Sequence, residues 1–72
     1  MKFSARPFIT LPATWRSASL QVAEARDRMS LASANALLQD KHATADNLRR
    51  AAAILREAAS NLDKAAAALE PQ

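Results

Sequence analysis

The stretch TADNLRRAAAILREAASNLDKAAAAL, residues 44–69, decides the fold. In it Leu48, Leu55, Leu62 and Leu69 recur every seven residues, and Ala45, Ala52, Ala59 and Ala66 recur in the same period, three residues before each leucine. This three-four alternation is that of an α-helix laid against another helix, with alanine and leucine in the a and d positions of a heptad. A third register, Ala51, Ala58 and Ala65, borders the seam with more alanine. Arg50, Glu57 and Lys64 share the outermost position, while Arg49, Arg56 and Asp63 lie beside the seam, where charges set partner choice. Alanine leaves no bulk to hold two backbones apart, so the partner helix is expected near the lower end of the usual range of about 8–10 Å between axes.

Working outward, Thr44 reads as the N-cap of this second helix and Pro71 as its stop, giving a helix from about 44 to 69. Asp46 and Arg50 form a favourable i,i+4 pair near its start. Asp40, Lys41 and His42 read as the end of a preceding helix that begins near Thr14 and reaches about residue 39, with Lys41 and His42 suited to a helix C-terminus. So short a connection makes the two helices antiparallel neighbours.

The first helix has two apolar faces. One holds Trp15, Ala18, Val22, Ala25, Met29, Ala32 and Ala36; the other holds Leu20, Ala23, Leu31, Ala34 and Leu38 and is broken by Asp27. A helix apolar on two sides has to be covered on two sides. The second helix covers one. A second copy of the chain, giving a four-helix bundle, covers the other economically; folding of the N-terminal segment across it is the alternative. The expected fold is therefore all-α: an antiparallel two-helix hairpin (residues 14–72) with an extended N-terminal arm (residues 1–13), assembling as a homo-oligomeric bundle, a dimer in the simplest case.

Composition points the same way. Seventy-two residues make one domain whose own core is small. Cysteine is absent and His42 is the only histidine, so neither a disulfide nor a histidine-based metal site reinforces it. Glycine is also absent and alanine abundant, which favours long helices. The net charge of +3 gives only weak attraction to polyanions. Neither a signal peptide nor an 18-residue apolar run is evident, so a cytoplasmic protein without membrane contact is expected.

No catalytic or metal-binding constellation emerges. His42 beside Asp40, Lys41 and Thr44 could be an acid–base or phosphate site, but reads better as a solvated helix-terminal histidine. Arg16, Arg26, Arg28, Arg49, Arg50 and Arg56 could contact phosphates, yet Glu24, Asp27, Glu57 and Asp63 are mixed among them, as on a solvated charged face. In the arm, Phe3 and Ile9 fall on one side of an extended chain, and Arg6 and Phe8 on the other, with Pro7 between them. Phe3, Arg6, Phe8 and Ile9, together with Arg49 and Arg56, are the candidate partner-binding residues. The candidate helix–helix or oligomer interface is Trp15, Leu20, Val22, Met29, Leu31, Leu38, Leu48, Ala52, Leu55, Ala59, Leu62, Ala66 and Leu69.

Two function classes fit this pattern. The first is a non-enzymatic interaction module without cofactor: a homo-oligomeric bundle that binds and modulates, or inhibits, a larger protein, comparable in size and shape to accessory proteins of phages and mobile elements. The second is a nucleic-acid-binding regulator. Ile9-Thr10-Leu11-Pro12, a helix, and then Met29-Ser30-Leu31 resemble the strand–helix–helix layout of ribbon-helix-helix repressors, which implies paired strands in the major groove. Pro7 and the long second heptad depart from that family, as does the missing glycine between helices. RNA-binding helical-hairpin dimers of the Rop kind are similar in architecture alone.

Overall fold

A computed structural model describes residues 9–70. Two α-helices, α1 (Ala13–Leu37) and α2 (Lys41–Leu69), pack side by side as a hairpin, and no strand occurs among the described residues. The radius of gyration is 18.0 Å, against about 11 Å for a compact domain of this length. The described residues form a single layer of two helices, with no third element among them to enclose a core.

α1 starts one residue earlier than the sequence suggests, directly behind Pro12. That residue is the N-cap in extended geometry (φ −61°, ψ 156°), and its carbonyl accepts the Trp15 N–H at 3.0 Å. The proline ring fixes φ at a value compatible with the turn. Thr14, expected as the cap, lies inside the first turn, and its hydroxyl is buried without a hydrogen-bond partner.

The connection is tighter than expected, and it shifts both inner boundaries. α1 ends at Leu37 rather than 39 and α2 begins at Lys41 rather than Thr44. Gln39 adopts φ 60°, its N–H donates to the Ala36 carbonyl at 3.0 Å, and the Asp40 N–H donates to the Asn35 carbonyl at 3.0 Å. These are the two bonds of a Schellman stop, with glutamine where glycine is usual. Asp40 then serves the next helix. Its side chain accepts the Ala43 N–H at 3.0 Å, and its carbonyl accepts both the N–H and the hydroxyl of Thr44. The N-cap of α2 is therefore Asp40, and Thr44 is a helical residue bonded to it. Lys41 and His42 open α2 instead of closing α1, so they meet the positive end of a helix dipole rather than the negative one. Asp46 falls in the second turn; its carboxylate accepts from Arg50 Nε at 2.8 Å, as the i,i+4 spacing implies.

The seam between the helices differs from the one read in the sequence. The buried residues are Ala18, Ala25 and Ala32 of α1 and Ala51, Ala58 and Ala65 of α2. Between them lie half-buried Gln21, Arg28 and Asn35 on α1, and Asn47, Ile54 and Asn61 on α2. Asn61 Nδ2 donates to Gln21 Oε1 at 2.9 Å, and Asn47 Nδ2 donates to Asn35 Oδ1 at 2.8 Å. Both pairs have the same antiparallel offset. That offset sets Ala18 level with Ala65, Ala25 with Ala58 and Ala32 with Ala51. Arg28 Nη1 also donates to Asn47 Oδ1, at 3.4 Å. With these alanines as position a and the polar set as position d, the leucines of α2 become position e and Ala45, Ala52, Ala59 and Ala66 position b. The heptad of the opening stretch is real, but it runs one residue beyond the contact with α1.

Candidate interaction surface

That one-residue offset carries the large apolar side chains out of the hairpin. Among the described residues, Ile54 alone of the large apolar side chains is not exposed. Trp15, Val22 and Met29 of α1 and Leu48, Leu55, Leu62 and Leu69 of α2 are all exposed, Trp15 by 45% and Leu55 by 38%. Each follows its a-position alanine by four residues or its d-position residue by one, so all occupy position e.

In an antiparallel pair the e positions of the two helices border the same flank, because reversing one helix exchanges its sides. Ala36, the fourth e residue of α1, accordingly lines one hollow with Leu48, Thr44 and Ala45. On the opposite flank a second hollow is lined by Glu24, Arg28 and Arg50 with Ala53 and Ile54. The hairpin thus has an apolar flank and a charged flank. Four rungs climb the apolar one, from Trp15/Leu69 at the open end through Val22/Leu62 and Met29/Leu55 to Ala36/Leu48 at the loop. Ala52, Ala59 and Ala66 adjoin the leucine row, Ala52 half-buried and the other two exposed.

The expected interface residues therefore divide. None of the large ones lies buried between α1 and α2. Seven of them form the apolar flank with Ala52, Ala59 and Ala66. Leu20 and Leu31 stand elsewhere on α1 and Leu38 at its C-cap, exposed by 68%, 49% and 78%, so α1 does carry two apolar surfaces. Of the candidate partner-binding residues, Arg49 and Arg56 are exposed next to the leucine row, Ile9 is exposed by 77%, and Phe3, Arg6 and Phe8 lie outside the described residues. Arg50, Glu57 and Lys64 are not outermost; they border the seam with α1 on its charged side, in position g.

The polar seam residues Gln21, Asn35, Asn47 and Asn61 were not singled out by the sequence reading. The signal was present, because Gln21, Arg28 and Asn35 recur every seven residues, as do Asn47, Ile54 and Asn61. Hydrophobicity gives such a row no weight, and the leucine row beside it dominates.

Charge chemistry is sparse. Arg50 is hydrogen-bonded to the Asp46 carboxylate and holds its pKa below the usual range, with further attraction from Arg50, His42 and Arg28. Among the described residues no cluster of acidic, histidine or cysteine side chains could hold a metal ion, and no helix is long and apolar enough to cross a membrane. α1 runs unbroken through Met29, Ser30 and Leu31, where a strand–helix–helix layout needs a break, and Ile9–Pro12 form no strand. Comparison with protein-family models, curated proteins and solved structures finds no match.

Proposed function

We propose that this protein is a non-enzymatic protein–protein interaction module: a hairpin that pairs with a second copy through its apolar flank and, as a four-helix bundle, binds and modulates a larger protein. One observation carries the reading. The hairpin buries only alanines and exposes seven large apolar side chains along a single flank. Six buried methyl groups stabilise by about 0.8 kcal/mol each, whereas each leucine offers roughly 1.5–3 kcal/mol once covered. A contiguous apolar surface of this kind marks an interaction site.

The second part of the reading rests on what such pairing leaves outside. Leu31 of α1 and Leu38 at its C-cap stay off the paired flank; they continue the row of Glu24 on the opposite flank and offer a separate apolar docking strip towards the loop. The basic residues support nucleic-acid binding less well, because Arg49 and Arg56 share their row with Asp63 and Glu70.

Light scattering at micromolar concentration tests the assembly: a particle of twice 7.8 kDa is expected, and a stably folded 7.8 kDa particle overturns it. Capture from the native host tests the docking. Leu31→Glu with Leu38→Glu should keep the assembly and abolish capture. Tight binding to nonspecific DNA or RNA at low salt, lost steeply as salt rises, would instead establish the nucleic-acid regulator.

A further inference from the structure

Given self-pairing through the apolar flank, we infer that the two hairpins dock with their loops at opposite ends, α1 on α1 and α2 on α2, about a two-fold axis that passes beside Ala59. Two independent observations point there: a charge pattern and a gradient of side-chain size.

The solvent-side border of the leucine row, position f of α2, reads Arg49, Arg56, Asp63, Glu70, two bases followed by two acids. All four are exposed. None is paired within the described residues, where the only ion pair is Arg50–Asp46. This order is complementary to its own reverse. Two antiparallel α2 helices set Arg49 against the partner's Glu70 and Arg56 against the partner's Asp63, four attractive pairs by symmetry. Loops at the same end would lay α2 on the partner's α1 instead, whose matching row is Arg16, Ala23, Ser30 and Leu37 and holds one charge.

The size gradient agrees. The rung at the open end holds Trp15, the one at the loop only Ala36; hollows border both ends, about 490 Å³ beside Trp15 and about 440 Å³ beside Ala36, so it is the side-chain size that differs. With loops opposed, Trp15 lies over the partner's Ala36, Val22 over the partner's Met29, Leu48 over the partner's Leu69 and Leu55 over the partner's Leu62. Each layer then joins a large rung to a small one and the core has even thickness. With loops together, both tryptophans crowd one end and the two small Ala36 rungs face each other at the other. The rungs span about 30 Å along the helices and about 20 Å across two of them, the scale of a patch that buries about 800 Å² per partner. On the other border of the α1 flank, position b, the row is Ser19, Arg26 and Ser33; Arg26 is its one charge and falls beside its own copy at the axis, so Arg26→Leu should tighten the dimer.

The chain has no cysteine, so single thiols report the axis cleanly. With a short thiol–thiol cross-linker, Ala59→Cys should link to its own copy. Ala66→Cys should not, because the two copies of position 66 stand about 21 Å apart along the bundle, whereas an equimolar mixture of Ala52→Cys and Ala66→Cys should give linked heterodimers. Reversing Arg49 and Arg56 to Glu should weaken self-pairing by about tenfold, and pairing should return when this acidic variant meets the basic variant Asp63→Arg with Glu70→Arg. A dimer by light scattering in which positions 59 and 66 link equally, or neither links, overturns this orientation and leaves the self-assembly reading standing. A folded monomer overturns both.

Discussion

The two longitudinal seams of α2 are one residue apart and behave oppositely. The inner seam, Asn47, Ala51, Ile54, Ala58, Asn61 and Ala65, is small or polar at every position but Ile54 and carries the contact with α1. The outer row, Leu48, Leu55, Leu62 and Leu69, holds most of the helix's apolar bulk and stays exposed. The difference shows that alanine decides proximity and leucine decides what remains to be covered. A side chain with one methyl lets two backbones meet, while the amide pairs Gln21–Asn61 and Asn35–Asn47 tie them at a fixed offset. Half-buried polar partners of this kind specify register more than they add stability.

The sharpest way to break the contrast is Leu55→Ala. If the outer row is covered by a second copy, the cost at micromolar concentration is about 2–5 kcal/mol, read from urea unfolding, and it shrinks on dilution as the protein dissociates. A cost under about 1 kcal/mol at every concentration would place Leu55 outside any core. Ala25→Leu probes the inner seam, where Ala25 has no exposed surface. It should destabilise by about 1–3 kcal/mol, independently of dilution, because the two helices of one chain are forced apart. A neutral result would refute close packing there. Asn47→Ala removes the acceptor of Arg28 and the donor to Asn35 and should cost about 1 kcal/mol, without altering the assembly mass. The smallest change acts on the turn that joins the helices. Gln39→Gly relieves a left-handed backbone and should stabilise by about 1 kcal/mol, seen as a higher midpoint in thermal melting.

How much of this was legible depends on the residue. The period of Leu48, Leu55, Leu62 and Leu69 was plain, and so were the two helices and the two apolar surfaces of α1. The register of contact was not, because a ranking by hydrophobicity places leucine inside and asparagine outside, and within this chain the opposite holds. The turn was misread for a related reason. A Schellman stop usually advertises itself by glycine; here Gln39 adopts the left-handed conformation, and Asp40 ends one helix while capping the next. Thr44, four residues on, is the kind of residue that caps a helix, but it is already helical.

By itself the sequence determined that the chain forms two long helices, since alanine abundance, the absence of glycine and a sustained seven-residue period admit little else. It also determined that these helices carry more apolar surface than a hairpin hides. Only the tertiary structure decided which of two adjacent heptad rows meets the other helix. Neighbouring rows differ by one residue, a rotation of about 100° around the helix, and the choice rests on shape and amide pairing between residues distant in the chain, which a one-dimensional pattern does not contain.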